Sequence, residues 1–243
     1  PRMGASVHCG SLRAFVSFIN TATPRLKRDL KSMPVCHEKK FIFLHIPKCA
    51  GTAVETFFNL RRRECLYGVK KQGAQFLTLH HLTGPQLINL GLLKASTAQD
   101  YFKFTIIRDP FERMTSDFVW QQQHDRHGEF TGLTFAAYLK RAERIIKEER
   151  YCEKLHYDHF RPMVDYCFDG NELWVDDILL QDRLASDLAR LAPRLGLINL
   201  DLINKGPDRD ELRTRANRRK VYELYQADKQ LHDTIAALNH RQQ

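Results

Sequence analysis

Two short apolar runs, each followed by a proline-containing turn and then by a helical pattern, most constrain how this chain can fold. The first run is Phe41 to Ile46, which ends at Pro47, and the second is Tyr101 to Ile107, which ends before Pro110 and a predicted helix over Phe111 to Gln122. Continuous apolar runs of this length are typical of strands that are buried on both faces of a parallel sheet. We therefore predict an α/β fold with a central, mainly parallel sheet flanked by helices.

The remaining pattern fits one domain. A length of 243 residues is enough for a substantial apolar core in a single unit. We expect residues 1–38 to form an N-terminal extension and residues 39–243 to form the domain. Further strands are predicted over residues 76–79 and 173–180, and further helices over residues 85–90, 134–148, 183–195 and, with interruptions, 208–238.

The formal charge of +9 favours anionic partners such as nucleic acid, acidic lipid, a polyanionic sugar or a multiply phosphorylated cofactor. The six cysteines show no zinc-type spacing, and we interpret them mainly as free thiols, although an even number also permits disulfides in a luminal protein. No apolar run reaches the roughly 18 residues that span a bilayer. We expect a soluble, cytoplasmic protein, with the luminal ectodomain of a Golgi-type enzyme as the alternative.

The turn after the first run has the features of a phosphate or sulfate cradle. A buried strand that leads through a glycine-containing turn into a helix directs backbone N–H groups and the positive end of the helix dipole at one point. Lys48 adds a mobile charge, Gly51 permits close approach of a ligand, and Thr52 offers a hydroxyl. The segment is not the GxxxxGK[ST] loop of nucleotide triphosphatases, because Lys48 precedes the glycine.

The turn after the second run carries a second set of anion-binding groups. Arg108 stands at the carboxyl end of the predicted strand, where ligands bind in open parallel sheets, and Ser116 follows eight residues later on the next helix. Both side chains can reach one phosphate. Taken alone, Arg108-Asp109-Pro110 is equally explained as a turn in which Asp109 caps a helix. Arg113 either assists with the phosphate or holds the loop.

His80 and His81 follow the predicted strand over residues 76–79 and are candidates for a general base, because neutral imidazole has a suitable pKa near neutrality. If the backbone there is extended, the two side chains point in opposite directions and only one can face a ligand.

The segment Ile46 to Thr52, Ile-Pro-Lys-Cys-Ala-Gly-Thr, resembles the 5′-phosphosulfate-binding loop of the sulfotransferases that use 3′-phosphoadenosine-5′-phosphosulfate (PAPS), and it looks most like the carbohydrate (heparan/chondroitin) branch. Arg108 and Ser116 have the order and spacing of the family's 3′-phosphate site. The resemblance implies a fold related to P-loop nucleotide triphosphatases, PAPS as donor, PAP as product and no metal. It assigns the 5′ end of the donor to Lys48, Cys49, Ala50, Gly51, Thr52 and Ala53.

The resemblance also extends to the base and to the 3′ side of the nucleotide. His81-Leu82-Thr83 looks like the family's base region, which favours His81 over His80, and Asn204-Lys205 resembles a loop that closes over the nucleotide. Arg161 is either an acceptor or donor contact or a structural residue. His156 and His159 are not expected to form a metal site, since no further ligand cluster accompanies them in the sequence.

The function that this resemblance implies is transfer of a sulfuryl group from PAPS to a hydroxyl of a carbohydrate, which could be an anionic polysaccharide, or of another alcohol. Nucleic acid is not an expected partner. Two alternatives stay open at this point: a Mg²⁺-dependent nucleotide phosphotransferase, and a non-catalytic protein that binds polyanions through its positive charge.

Overall fold

The computed structural model of this protein describes residues 35–58, 68–125, 127–195 and 210–240. Its centre is a four-stranded sheet with the strand order β1-β2-β5-β8. The strands β2, β5 and β8 are parallel to one another, and β1 pairs antiparallel with β2 at one edge. These strands are β1 (Val35–Cys36), β2 (Phe41–Leu44), β5 (Phe102–Ile107) and β8 (Asp177–Leu180).

The three parallel strands end together at one edge of the sheet. Leu44 lies opposite Thr105, and Ile107 lies opposite Leu180. The Thr105 hydroxyl donates to the Leu44 carbonyl oxygen over 2.7 Å, so this buried polar side chain is satisfied by the neighbouring strand. All four residues of β2 are buried, as the continuous apolar run predicts for a strand covered on both faces.

Helices and two small hairpins surround the sheet. The hairpins are β3 (Val69–Gln72) with β4 (Gln75–Thr78), and β6 (Phe168–Asp169) with β7 (Glu172–Leu173). The helices are α1 (Gly51–Phe57), α2 (Gly84–Asn89), α3 (Ala95–Asp100), α4 (Pro110–His124), α5 (Phe135–Lys147), α6 (Val164–Cys167), α7 (Leu184–Leu195), α8 (Arg215–Leu224) and α9 (Gln226–His240).

Buried apolar residues form two clusters. The larger surrounds the sheet and includes Phe43, Phe104 and Leu179. The second includes Phe111 of α4 and Tyr138 of α5. Helix α4 therefore begins at the sheet edge and is fixed by a second apolar cluster, which gives the residues after β5 a rigid support.

The α/β fold with a mainly parallel sheet is confirmed. The strand predicted over residues 76–79 is present as β4 (Gln75–Thr78), which lies in the β3–β4 hairpin. One strand prediction needs correction. The predicted strand over residues 173–180 is two separate strands, because Leu173 pairs with Phe168 whereas only Asp177–Leu180 pairs with β5.

Two further features bear on the sequence expectations. The four cysteines within the described residues, Cys36, Cys49, Cys152 and Cys167, are free thiols. Among the described helices, none combines the length and the apolar character that crossing a membrane requires. Asn204 and Lys205 lie outside the described residues.

Candidate active site

A cavity of about 530 Å³ opens where the parallel strands end. The segments that follow β2 and β5 line it, together with the turn after β4 and the segment around residues 156–159. Its lining includes six side chains that can form hydrogen bonds or carry charge, which are Lys48, Thr52, His81, Arg108, Ser116 and His159. Lys48, Arg108 and Ser116, which the sequence places in two separate motifs, therefore face one common space.

The loop after β2 has an unusual backbone. Lys48 and Ala50 have φ angles of 67° and 66°, in the left-handed region that non-glycine residues rarely adopt. Such residues each cost of order 1–3 kcal/mol and tend to cluster at functional sites. Left-handed residues at alternate positions are a feature of the backbone concavities that bind anions in proteins.

Gly51 is required here for a reason that the sequence did not reveal. A Cβ atom at this position would meet the His45 ring at 2.0 Å. The glycine was expected to make room for a ligand, but in the structure it first makes room for His45. The His45 Nδ1 in turn contacts Glu55 Oε1 of α1 over 2.5 Å, so the two ends of the loop are tied together.

Arg108 reaches across to the first loop. Its Nη1 donates to the Lys48 carbonyl oxygen over 3.3 Å, while its Nε is buried and has no hydrogen-bond partner among the described residues. Ser116 lies on α4 and lines the same cavity. Asp109 caps α4 by accepting from the Phe111 and Glu112 N–H groups. Asp109 therefore caps the helix, as the turn interpretation predicted, and Arg108 also lines the cavity.

The ammonium group of Lys48 lies 5.2 Å from the centre of the Trp120 ring. Burial lowers the pKa of Lys48, Asp117 raises it, and the nearby Arg108 lowers it, with a net shift downward. Trp120 was not identified from the sequence. The indole provides a cation–π contact that holds the lysine side chain at the cavity.

Arg113 supports the loop and does not line the cavity. It is 1 % exposed, and its Nε donates to the Pro47 carbonyl oxygen over 3.2 Å. Its Nη2 donates to the carbonyl oxygens of His159 and Arg161 over 2.8 and 2.9 Å. One guanidinium thus fixes the cradle loop against the segment that carries His159. Of the two roles left open by the sequence, the structure shows that of holding the loop.

His80 and His81 lie on a single 3₁₀ turn, Leu79–His81, and not on extended backbone. The expectation that only one of them can face a ligand assumed an extended backbone and does not apply here, since both residues line the cavity with their ring centres 4.1 Å apart. Thr83 caps α2 through a reciprocal interaction with Gln86, so its hydroxyl has a local structural role.

His81 is paired with a carboxylate. Its Nδ1 lies 2.5 Å from Asp158 Oδ2. Burial lowers the pKa of His81 to about 3, against the opposing effect of Asp158. Burial raises the pKa of Asp158, but the hydrogen bond and charge of His81 outweigh it and leave that pKa below its ordinary value. The pair is therefore a neutral imidazole that donates Nδ1–H to an ionised carboxylate, and its Nε2 lone pair remains available as a base.

A second histidine on the cavity has the same arrangement. His159 Nδ1 lies 2.5 Å from Asp117 Oδ1, and the Tyr138 hydroxyl donates to the other Asp117 oxygen over 2.7 Å. The side chains of His81, Asp158 and His159 all bring a potential ligand atom within 4.8 Å of one another. The statement that no further ligands accompany His159 is thus wrong. The additional side chain, His81, lies 78 positions before His159 in the chain.

Two of the residues assigned to the donor's 5′ end lie outside the cavity lining, and these are Cys49 and Ala53. Cys49 is buried with its Sγ 3.7 Å from Met163 Sδ, and its N–H donates to the Ile46 carbonyl oxygen. The Ala53 N–H donates to the Ala50 carbonyl oxygen. Arg161 lies 4.3 Å from the ring centre of Tyr151 and also stays outside the lining. Ala50, Gly51 and Thr52 do line it.

Fold and site together define an α/β protein with a basic, histidine-lined cavity at the carboxyl ends of its parallel strands. The model of the sulfotransferase family matches residues 31–233, a range that contains both cradle segments and the paired histidines. The chain belongs to the sulfotransferase family, as its motifs predict. Neither the search of curated proteins nor that of solved structures gave a significant match.

Proposed function

We propose that this sulfotransferase takes its sulfuryl group from PAPS and transfers it to a hydroxyl of a carbohydrate or of another alcohol. The observation that carries the proposal is the shared cavity, where Lys48, Arg108 and Ser116 face the carboxylate-paired His81. The two anionic ends of a donor can bind Lys48, Arg108 and Ser116 while an acceptor hydroxyl contacts His81.

The described residues fit such a donor. The cavity volume lies within the range of about 300–1,000 Å³ that is common for small-molecule sites. Within residues 35–58, 68–125, 127–195 and 210–240, the buried Arg108 Nε has no hydrogen-bond partner, and a phosphate oxygen would satisfy it. Within the part of the chain that the structure describes, neither Lys48 nor Arg108 forms an ion pair with a carboxylate. We assign Arg108 and Ser116 to the 3′-phosphate, and Lys48 with Ala50, Gly51 and Thr52 to the 5′ end.

Lys48 stabilises the leaving group in this scheme. The bound donor supplies an activated sulfuryl group whose S–O bond to the 5′-phosphate breaks during transfer. Negative charge then grows on the phosphate oxygen, and a preorganised ammonium group in a partly buried site stabilises that charge more than water can. Because Trp120 holds the Lys48 side chain at the cavity, little reorganisation is needed when the charge develops.

His81 takes the acceptor proton. The acceptor oxygen forms the new S–O bond as its proton moves to His81 Nε2, and Asp158 holds the ring orientation and stabilises the imidazolium that results. A pKa of about 3 makes His81 a weak base when the cavity holds no anion. Negative charge on a bound donor would raise that pKa toward neutrality, because a nearby anion favours the protonated ring.

The acceptor class rests on the loop resemblance and on the net charge of +9, both of which favour a sugar that carries negative charge. His80 lies beside His81 and is the alternative base, since its ring also lines the cavity. Burial, followed by the proximity of His81, lowers the pKa of His80 to about 2, as burial also lowers that of His81, so we favour His81 because of its carboxylate partner Asp158.

Calorimetric titration with PAP tests the donor, and labelled PAPS with a panel of sulfatable sugars and simple alcohols tests the reaction. We expect one PAP per chain and label transfer to at least one acceptor. The comparison titration uses ATP with Mg²⁺, which we expect to bind much more weakly. Tight binding of Mg²⁺-ATP without binding of PAP would refute the assignment of PAPS as donor.

A further inference from the structure

Five histidines are concentrated on one side of the cavity, although they come from three separate segments of the chain. Their ring centres form a continuous series: 4.9 Å from His45 to His81, 4.1 Å from His80 to His81, 5.3 Å from His81 to His159, and 5.4 Å from His156 to His159. The proposed transfer uses one of these rings as a base. The proposed transfer assigns no role to the other four.

Three buried side chains in this region have the geometry of a metal site. His81, Asp158 and His159 each offer one ligand atom, and these atoms all lie within 4.8 Å of one another. Two imidazoles and one carboxylate are a donor set that suits Zn²⁺ and its neighbours among the first-row transition metals. It does not suit Mg²⁺ or Ca²⁺, which prefer several oxygen ligands.

The surroundings of His159 strengthen this interpretation. Its Nδ1 is tied to Asp117, which also accepts from the Tyr138 hydroxyl. Metal-binding histidines almost always donate their second ring N–H to a carboxylate, a carbonyl or water, which fixes the tautomer and the ring orientation. Asp117 is completely buried, so it holds His159 in one orientation from the inside.

We propose that His81, Asp158 and His159 bind one Zn²⁺-type ion and that this ion inhibits the transferase. Three protein ligands leave a fourth position to water or to an oxygen of a substrate. When His81 and Asp158 both ligate the ion, the hydrogen bond between His81 Nδ1 and Asp158 is lost, so His81 no longer has the carboxylate partner that orients it as a base and proton transfer is blocked. Inhibition rests on the proposed role of His81, whereas binding of the ion does not. The sulfuryl transfer itself uses no metal in this scheme.

Binding is tested on the full chain after removal of metal, by titration with Zn²⁺ in competition with a chromophoric chelator. We expect the unmodified chain to take up one equivalent of Zn²⁺ at this site, and we expect His159→Gln to lose that equivalent. The matched control is His127→Gln, which changes an exposed histidine outside the cluster and should bind Zn²⁺ like the unmodified protein. Equal binding by His159→Gln and the unmodified chain would place the ion elsewhere and overturn the site.

A second variant keeps the test valid if His159→Gln does not fold. Asp117→Asn leaves the three ligands in place and alters only the partner of His159, so we expect Zn²⁺ affinity to fall about 10–100-fold. Unfolding curves of each variant show that the chain is folded. Absence of Zn²⁺ binding by the folded, unmodified protein at micromolar concentrations would also overturn the proposal.

Inhibition is measured separately as PAPS-dependent turnover with Zn²⁺, with Mg²⁺ and after addition of EDTA. Zn²⁺ should abolish turnover, EDTA should restore it, and Mg²⁺ should have no effect. Unchanged turnover at saturating Zn²⁺ would overturn the inhibitory role. If the protein shows no PAPS-dependent turnover at all, the proposed function fails, but the chelator titration still decides whether the metal site exists.

Discussion

The two sides of the cavity differ in how their polar groups are satisfied. On the basic side, defined by Lys48, Arg108 and Ser116, the two cations have no carboxylate partner within the described residues. On the histidine side, His45, His81 and His159 each contact a buried or nearly buried carboxylate over 2.5 Å. A cation without an anionic partner can bind an anionic ligand. An imidazole whose Nδ1–H donates to a carboxylate can accept a proton at Nε2. The difference supports a donor side and an acceptor side within one site.

The largest effect should come from the histidine side. We expect His81→Ala to lower turnover by about three powers of ten, within the range of general acid–base catalysis, and to leave PAP affinity within about twofold. Single-turnover transfer from labelled PAPS and calorimetry with PAP measure the two quantities. Normal turnover in this variant, combined with its loss in His80→Gln, would move the base to His80. A parallel loss of PAP affinity would mean that the two sides are not separate.

Lys48→Ala should lower turnover by about two powers of ten, which is typical for removal of a group that stabilises transition-state charge. The exposed Lys140→Ala is the matched control, because it removes an equal charge outside the cavity. The same kinetic assay checks both variants. Unchanged turnover in Lys48→Ala would exclude the proposed role at the leaving oxygen.

Arg108→Gln should weaken PAP binding about tenfold to a hundredfold, since hydrogen bonds to charged groups contribute about 1.5–3 kcal/mol. Ser116→Ala should weaken it by about tenfold or less, because its neutral hydrogen bond contributes about 0.5–1.5 kcal/mol. Calorimetry with PAP measures both, with the exposed Arg190→Gln as control. A larger effect of Ser116→Ala than of Arg108→Gln would reverse the proposed order of the two contacts.

The smallest effect tests the point where the two sides touch. Gly51→Ala should destabilise the fold, since the added Cβ would meet the His45 ring at 2.0 Å. In a His45→Ala background the same change should cost less, with a coupling of about 0.5–3 kcal/mol between the positions. Denaturant unfolding of the four proteins measures the coupling. Additive effects would show that Gly51 is required for the loop backbone or a ligand and not for His45.

The sequence predicted the basic side better than the histidine side. Lys48 and Arg108 each follow an apolar strand, and parallel strands place their carboxyl ends at one edge, so local pattern was sufficient to bring them together. The carboxylate partners of the histidines could not be found in this way. His81 and Asp158 are 77 positions apart in the chain and form a hydrogen bond between two turns. No local periodicity predicts which turns will lie next to each other.

Residues within the cradle show the same division on a smaller scale. The resemblance of the loop assigned Ala50, Gly51 and Thr52 to the 5′ end of a donor, and all three line the cavity. It also included Cys49 and Ala53, whose N–H groups instead bond within the loop. We attribute the difference to the left-handed backbone conformations of Lys48 and Ala50. Such conformations can be predicted for glycine but not from the residue types lysine and alanine.

By itself, the sequence of this protein determined the α/β class, the two buried strands with the turns that follow them, and the family, because each depends on residues that are neighbours in the chain. Only the tertiary structure decided that Arg113 braces the loop, that Gly51 accommodates His45, and that the cavity histidines are paired with carboxylates. These features depend on contacts between distant segments, and such contacts are set by how the helices and turns pack on the sheet.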